Sequence, residues 1–269
     1  MPASLDQIVA ATRLKVAENR RTADSEDLER RAQAHQPRGF RRALEARSRN
    51  SVAIIGELKK ASPSRGLIRA NFDAENLAME LEQAGATALS VLTDEEFFQG
   101  SLANLRRASS RTRIPCLRKD FMVEEFQILE ARANSADAVL LIVAALSQAE
   151  LTSLARCARN YGLDVLCEVH DEDELHRALD AGCDLIGVNS RDLRTFKVDL
   201  ATAFRLGDLI PKNIVRVAES GIHTGADIAR LRAAGYQSFL IGESLMKAES
   251  PGVALRALLT EASVPVSIL

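Results

Sequence analysis

The chain has 269 residues, a length at which eight strand-helix units close into one barrel of about 250 residues, so a single domain spanning residues 1–269 is the expectation. Hydrophobic residues make up 46% and charged residues 27%, a globular balance that excludes a disordered chain and leaves ample material for a core. The net charge of -2 creates no field to gather nucleic acid or an acidic membrane, so neither is expected as a partner and any anion must be held by local groups.

At the start, Met1-Pro2-Ala3-Ser4-Leu5-Asp6 has no basic segment followed by an apolar run, and nowhere do eighteen apolar residues run together. A cytoplasmic protein without a membrane span is expected. Residues 1–47 carry Leu5, Ile8, Val9 and Val16 at a helical spacing interrupted only by Thr12, then a polar run rich in Arg and Glu. This predicts a helical extension ahead of the main fold at residues 48–269.

From Ser51 the pattern changes to short β-rich apolar runs separated by stretches of helical periodicity. Strands are predicted at 52–58, 87–92, 116–118, 138–143, 164–169, 185–188, 214–218 and 238–241, with helical segments such as 73–84, 124–133, 148–160, 172–181, 224–234 and 252–260. Three helices end in a repeated phrase, Ala84-Gly85-Ala86, Ala181-Gly182-Cys183 and Ala234-Gly235-Tyr236, which puts glycine where a left-handed cap is needed. Strict alternation argues for a parallel sheet, and eight units favour a closed (β/α)₈ barrel over an open doubly wound sheet. The turn after the first strand, Glu57-Leu58-Lys59-Lys60-Ala61-Ser62-Pro63-Ser64, is not the GxGxxG of a dinucleotide site. The four cysteines, Cys116, Cys157, Cys167 and Cys183, show no CxxC spacing, so buried thiols are expected and no metal site.

A barrel of this kind works at the C-terminal ends of its strands. Strand one ends in Glu57 and Lys59, strand three in Lys119, strand five in Glu168, strand six in Asn189 and Arg191, and strand seven in Glu219 and Ser220. One charged strand end is ordinarily a solvated rim residue; the set points to a site. Glu219-Ser220-Gly221-Ile222 and Gly242-Glu243-Ser244-Leu245 follow strands seven and eight, where many barrels hold phosphate on exposed backbone N–H groups. Phe97, Phe98, Phe121, Leu140 and Leu193 are candidates for an apolar wall, although near strand ends such residues more often roof the core. His35 falls in the polar leader, His176 on a helix face, and His170 and His223 follow strands without an identifiable partner, so none is assigned a catalytic role.

The phrases Ile55-Gly56-Glu57-Leu58-Lys59-Lys60-Ala61-Ser62-Pro63-Ser64-Arg65-Gly66, Leu117-Arg118-Lys119-Asp120-Phe121 and Cys167-Glu168-Val169-His170, taken as a set, resemble the indole-3-glycerol-phosphate synthase family of tryptophan biosynthesis. The likeness continues through Val91-Leu92-Thr93-Asp94, Phe98-Gln99-Gly100-Ser101, Gly187-Val188-Asn189-Ser190-Arg191-Asp192-Leu193 and Ala218-Glu219-Ser220-Gly221. It implies a phosphorylated small-molecule substrate, 1-(2-carboxyphenylamino)-1-deoxyribulose 5-phosphate, whose aromatic ring closes onto its ketone with loss of carbon dioxide and water. No cofactor and no metal are implied, and the chain is expected as a monomer or weak homodimer.

By this resemblance Lys119 is the acid that protonates the ketone oxygen, Lys59 engages an anionic group and assists dehydration, and Glu168 is a base. Glu57 and Glu219 bind the sugar hydroxyls and orient the lysines, while Asn189 and Arg191 lie toward the aryl end. Ser62, Ser220, Gly221, Gly242 and Ser244 surround the phosphate, and Glu243 stands where other members have a small residue, so only its backbone is expected there. Phe98, Phe121, Leu140 and Leu193 sandwich the ring, the leader covers the barrel mouth, and the loop from Lys60 to Gly66 closes on the substrate. The chain has no tryptophan, so an aromatic contribution from the leader seen in some members is missing. A phosphoribosylanthranilate isomerase would need a cysteine and aspartate pair that these strand ends do not supply, and a mere phosphate sensor has no need of two lysines and two glutamates in this order.

Overall fold

The computed structural model describes residues 3–192 and 195–263. Its eight barrel strands are β1 (Ala53–Leu58), β2 (Ala88–Leu92), β3 (Cys116–Lys119), β4 (Ala138–Ile142), β5 (Asp164–Val169), β6 (Leu185–Asn189), β7 (Val215–Glu219) and β8 (Ser238–Ile241). All neighbours are parallel, and β8 pairs with β1 (Ala53 opposite Ser238, Gly56 opposite Ile241) to close the ring. This is the expected (β/α)₈ barrel. A two-stranded antiparallel ribbon, Ala61–Ser62 with Gly66–Leu67, follows β1.

Side-chain parity along the strands decides what reaches the mouth. Successive residues point to opposite faces, and one buried apolar cluster, holding Ala53, Ile55, Leu117, Leu140, Leu166, Val217 and Leu240, fills the barrel interior. Ile54, Leu58, Leu89, Val139 and Cys167 instead join the cluster that includes the surrounding helices. Two residues beyond the last interior apolar position, and therefore on the same face, come Glu57, Lys119, Glu168 and Glu219. The polar set is thus the top layer of the interior stack. Three of the expected strands stop one residue early: β3, β6 and β7 run on to Lys119, Asn189 and Glu219, the residues that matter most. A polar side chain ends an apolar run in the sequence, whereas strand pairing continues through it.

The remaining helices include α4 (Ala74–Gln83), α6 (Glu125–Ala133), α7 (Gln148–Asn160), α8 (Glu172–Asp180), α10 (Gly225–Ala233), the short α11 (Glu243–Lys247) and α12 (Pro251–Ser263). Gly85, Gly182 and Gly235 sit past helix ends at φ +104°, +73° and +89°, the left-handed caps that the repeated phrases predict. The predicted segments do not include α5 (Leu102–Arg111), whose buried stripe is Leu105, Ala108 and Ser109, or the seven-residue α9 (Ala201–Gly207).

The leader does more than cover the mouth. Helix α1 (Leu5–Thr22) starts with a capping box between Ser4 and Gln7 and buries Ile8, Thr12 and Val16; Thr12 is part of the buried stripe, not an interruption of it. Helix α2 (Ser25–Ala34) packs through Leu28 and Ala32 against Ala133 of α6. Helix α3 (Phe40–Ser48) lies at the opposite end of the barrel, where Phe40 and Leu44, both fully buried, belong to the interior cluster. Arg38, just before α3, grips the buried Asp137 at the start of β4 with Nε–Oδ2 at 3.0 Å, and the Arg41 amide donates to Asp164 at the start of β5 (2.9 Å). Among the described residues no helix is long and apolar enough to cross a membrane.

Candidate active site

A cavity of about 330 Å³ opens at the C-terminal mouth, lined by side chains from all the charged strand ends and by Ala3, Leu5 and Ile8 of the leader. Its size suits a small ligand. The centre is Lys119, whose Nζ donates to Glu168 Oε2 and to Glu219 Oε2, each at 2.8 Å. Beside it Lys59 Nζ donates to Glu57 Oε1 at 2.5 Å. Asn189 Nδ2 donates to Glu168 Oε1 at 3.1 Å.

Two glycines make room for this crowding. A Cβ on Gly187 would meet Glu219 Oε1 at 2.1 Å, and one on Gly242 would meet Glu57 Oε1 at 2.3 Å. Beneath Lys119, Arg118 turns outward and pairs with Asp120 (3.1 Å) and Glu130 (3.2 Å), while Asp120 accepts the Phe121 amide at 2.9 Å. This buried network fixes the β3 end, so that Lys119 and Phe121 both face the cavity.

The charges are strongly coupled. Burial alone would depress the Lys119 ammonium, but Glu168, Glu219 and Glu57 raise it above its ordinary value and keep it charged. Burial would raise Glu168, yet the Lys119 and His170 cations hold it well below the usual carboxylate range. Glu219 is pushed up to about 7, by burial first and then by the Glu168 and Glu57 charges, against the opposing pull of Lys119. Two carboxylates that share one ammonium are thereby driven apart.

Past the end of β7, Ser220 and Gly221 take consecutive left-handed conformations, φ +65° and +77°, and a Cβ on Gly221 would come within 2.7 Å of Val198. Ser62, Gly242 and Ser244 line the same side of the cavity. The Glu243 side chain is engaged by Lys247 at 2.6 Å, Arg65 at 3.1 Å and Arg191 at 3.5 Å. Burial opposes its ionisation, but Lys247, Arg65 and Arg191 keep it below the usual carboxylate value. Arg191, expected toward the aryl end, is therefore turned toward Glu243 here, and its amide donates to Asn189 Oδ1 at 3.0 Å.

On the other side Phe98 and Phe121 stand with ring centroids 6.2 Å apart and tilted by 42°, with Leu140 below them. Asp94 Oδ1 accepts the Phe97 and Phe98 amides at 2.6 and 3.1 Å and so shapes the loop that carries Phe98. Phe97 faces a separate small cavity against α1. Leu193 lies outside the described residues.

Two participants escape sequence reasoning. Arg65 sits in a loop read only as a closing segment, with no sign of its partner Glu243. His170 finds its partners in Glu168 and Glu174: Nδ1 lies 2.9 Å from Glu174 Oε2, and Nε2 lies 3.4 Å from Glu168 Oε1. His35, assigned to the polar leader, has its Nε2 3.3 Å from buried Asp137. The i, i+4 spacing of His170 and Glu174 is the one signal that could have pointed to a pair.

The family described as Indole-3-glycerol phosphate synthase matches residues 5–258. A protein of Koribacter versatilis (strain Ellin345) with that name is 59% identical over 259 residues, covering 96% of this chain and 100% of that one. Among solved structures, thiamine phosphate pyrophosphorylase from Pyrococcus furiosus aligns with a TM-score of 0.59 at 19% identity, over 78% of this chain and 95% of that one. KGPDC from Streptococcus mutans aligns with a TM-score of 0.62 at 14% identity, over 79% of this chain and 97% of that one. These two share the fold alone.

Proposed function

The chain belongs to the indole-3-glycerol phosphate synthase family and is a carboxy-lyase of tryptophan biosynthesis, and on that premise we propose that Lys119 is the general acid of its ring closure. The observation that carries this assignment is the placement of Lys119 Nζ, 2.8 Å from both Glu168 and Glu219 and between the Phe98–Phe121 side and the Ser220–Gly221 side of one cavity. An ammonium has three N–H bonds. Two meet these carboxylates, and the third is directed to the substrate ketone oxygen.

The ring carbon that bears the carboxylate attacks the ketone carbon as the oxygen takes a proton from Lys119, and carbon dioxide leaves that same ring carbon to restore aromaticity. A bare ketone would have to carry the developing negative charge alone, whereas a buried ammonium fixed by carboxylates stabilises it without reorganisation. The new hydroxyl then departs as water with a proton from Lys59, while Glu168 takes the proton whose loss completes the indole. Glu57 and Glu219 hold the two lysines and the sugar hydroxyls, and Asn189 steadies Glu168.

The phosphate lies against Ser62, Ser220, Gly221, Gly242 and Ser244, with the backbone but not the carboxylate of Glu243. Arg191 turns from Glu243 to the substrate carboxylate, for which its two-pronged guanidinium is suited. Phe98, Phe121 and Leu140 form the aryl sandwich, and α1 closes the top. Residues 1–47 and 48–269 form one domain, an arrangement supported by the shared interior cluster of Phe40, Leu44 and the strands. We read the enzyme as cytoplasmic and as a monomer or weak homodimer; the exposed large apolar residues among the described ones, Leu14, Leu67, Val198, Leu209 and Val253, are spread over different elements and loops of the chain, which favours the monomer.

Lys119→Ala tests the central assignment. Turnover falls by about a hundredfold or more, the scale of a positioned acid, while binding of the phosphorylated substrate persists. Near-normal turnover in a folded Lys119→Ala protein would remove the assignment.

A further inference from the structure

The two oxygens of Glu168 have different neighbours. Oε2 accepts from Lys119 at 2.8 Å. Oε1 is turned away from Lys119: Asn189 Nδ2 donates to it at 3.1 Å, and His170 Nε2 stands 3.4 Å off. The far side of the imidazole is fixed more firmly, because Glu174 Oε2 accepts the His170 backbone N–H at 2.8 Å and lies 2.9 Å from Nδ1.

His170 Nε2 is buried and makes no hydrogen bond, although the carboxylate is within ion-pair reach. A bare ring nitrogen and a carboxylate oxygen would repel each other there, so a proton lies between them, and Glu174 calls for another on Nδ1. The ring is therefore an imidazolium between two carboxylates. Its affinity for the proton agrees: burial pushes it down, but the Glu168 and Glu174 carboxylates raise it to about 10.

We propose that His170, held by Glu174, is a positioning residue for Glu168: it pins the Oε1 edge of the carboxylate and leaves Oε2 as the oxygen that receives the substrate proton. This rests on the reading of Glu168 as the base. Its use comes when Lys119 gives a proton to the ketone oxygen and becomes neutral. Glu168 then loses one cation, and the fixed imidazolium keeps it ionised and in place for the later proton transfer. The other groups that bear on Glu168 are Lys119 from β3, Glu219 from β7 and the neutral Asn189 from β6; Glu174 bears on the imidazole from α8. A purely structural role, in which His170 only secures the start of α8, would change stability and leave the pH profile unmoved.

The experiment measures kcat, KM and their pH dependence for the full chain carrying His170→Gln or Glu174→Gln, with thermal melts as controls. In His170→Gln, kcat falls about tenfold with KM within about twofold, and the acid limb of kcat/KM moves to higher pH, because a carboxylate that loses a cation binds its proton more tightly. In Glu174→Gln the imidazolium loses its counter-charge, so the alkaline fall begins at lower pH than in the wild type. A folded His170→Gln enzyme with kcat within twofold and both limbs unmoved overturns the proposal. If that variant does not fold, an unmoved alkaline limb in Glu174→Gln overturns it equally. Glu168→Gln separates the underlying reading: wild-type turnover there removes the base itself, whereas its loss beside a wild-type His170→Gln removes His170 alone.

Discussion

Lys119 and the two glutamates it bridges place three ionisable groups in one water-poor layer, and their balance decides which can give or take a proton. Glu168 is held ionised, while Glu219 is lifted to about 7, so near neutrality Glu219 is the group that adjusts its charge. His170 adds a stability signature. Its proton affinity is raised from an ordinary 6.5 to about 10 in the folded chain, so its contribution is complete below pH 6.5 and is lost as pH rises toward 10. Glu219, raised from 4.5 to about 7, loses its own contribution as pH rises over that lower range, and Glu168 stays ionised throughout. Between pH 7 and 10 the unfolding free energy therefore declines more in the wild type than in His170→Gln, as denaturant titrations at several pH values would show; equal slopes would contradict the imidazolium.

A second residue-scale prediction concerns Glu243, whose carboxylate occupies the cations Arg65, Arg191 and Lys247 beside the proposed phosphate site. Glu243→Gln frees them and binds inorganic phosphate several-fold more tightly by calorimetry, about 1 kcal/mol, as for a modest charge pair near a surface. Unchanged or weaker binding would show that these cations do not serve the anion. Residue identities at the strand ends were readable because position alone selects Glu57, Lys119, Glu168 and Glu219, along with Lys59, Asn189, Arg191 and Ser220. The pairing of Glu243 with Arg65, and of His170 with Glu168, was not, since side-chain rotamers across loops leave no periodic trace in a sequence.

At the scale of elements, the leader divides its work between the two ends of the barrel. Helix α1 contributes Leu5 and Ile8 to the cavity wall, whereas α3 drives Phe40 and Leu44 into the interior stack from the other end. Phe40→Ala leaves a void that the rigid strands cannot fill and costs about 3 to 5 kcal/mol. Urea unfolding would measure this, and a loss under about 1 kcal/mol would mean that α3 merely rests on the barrel. The strand-helix alternation and the glycine caps were legible because each rests on local periodicity. Helix α9, seven residues long, is too short for a periodic pattern, and the place of α3 depends on contacts with β1, β2 and β7 far along the chain, which helical spacing cannot convey.

For the whole molecule, closure of the sheet turns eight separate strand ends into one ring, and this is why a set of single charged residues in the sequence becomes a site. The same closure puts an aryl-sized wall of Phe98 and Phe121 opposite the Ser220–Gly221 turn, with Lys119 between them. The absence of tryptophan makes the decisive measurement simple, because the protein has little fluorescence of its own to hide an indole. Mixed with 1-(2-carboxyphenylamino)-1-deoxyribulose 5-phosphate, the wild-type protein generates indole fluorescence and carbon dioxide in equal amounts, and the Lys119→Ala protein binds the substrate but generates neither at a comparable rate. A folded wild-type protein that yields no indole, or a Lys119→Ala protein that yields it at the wild-type rate, would contradict the account.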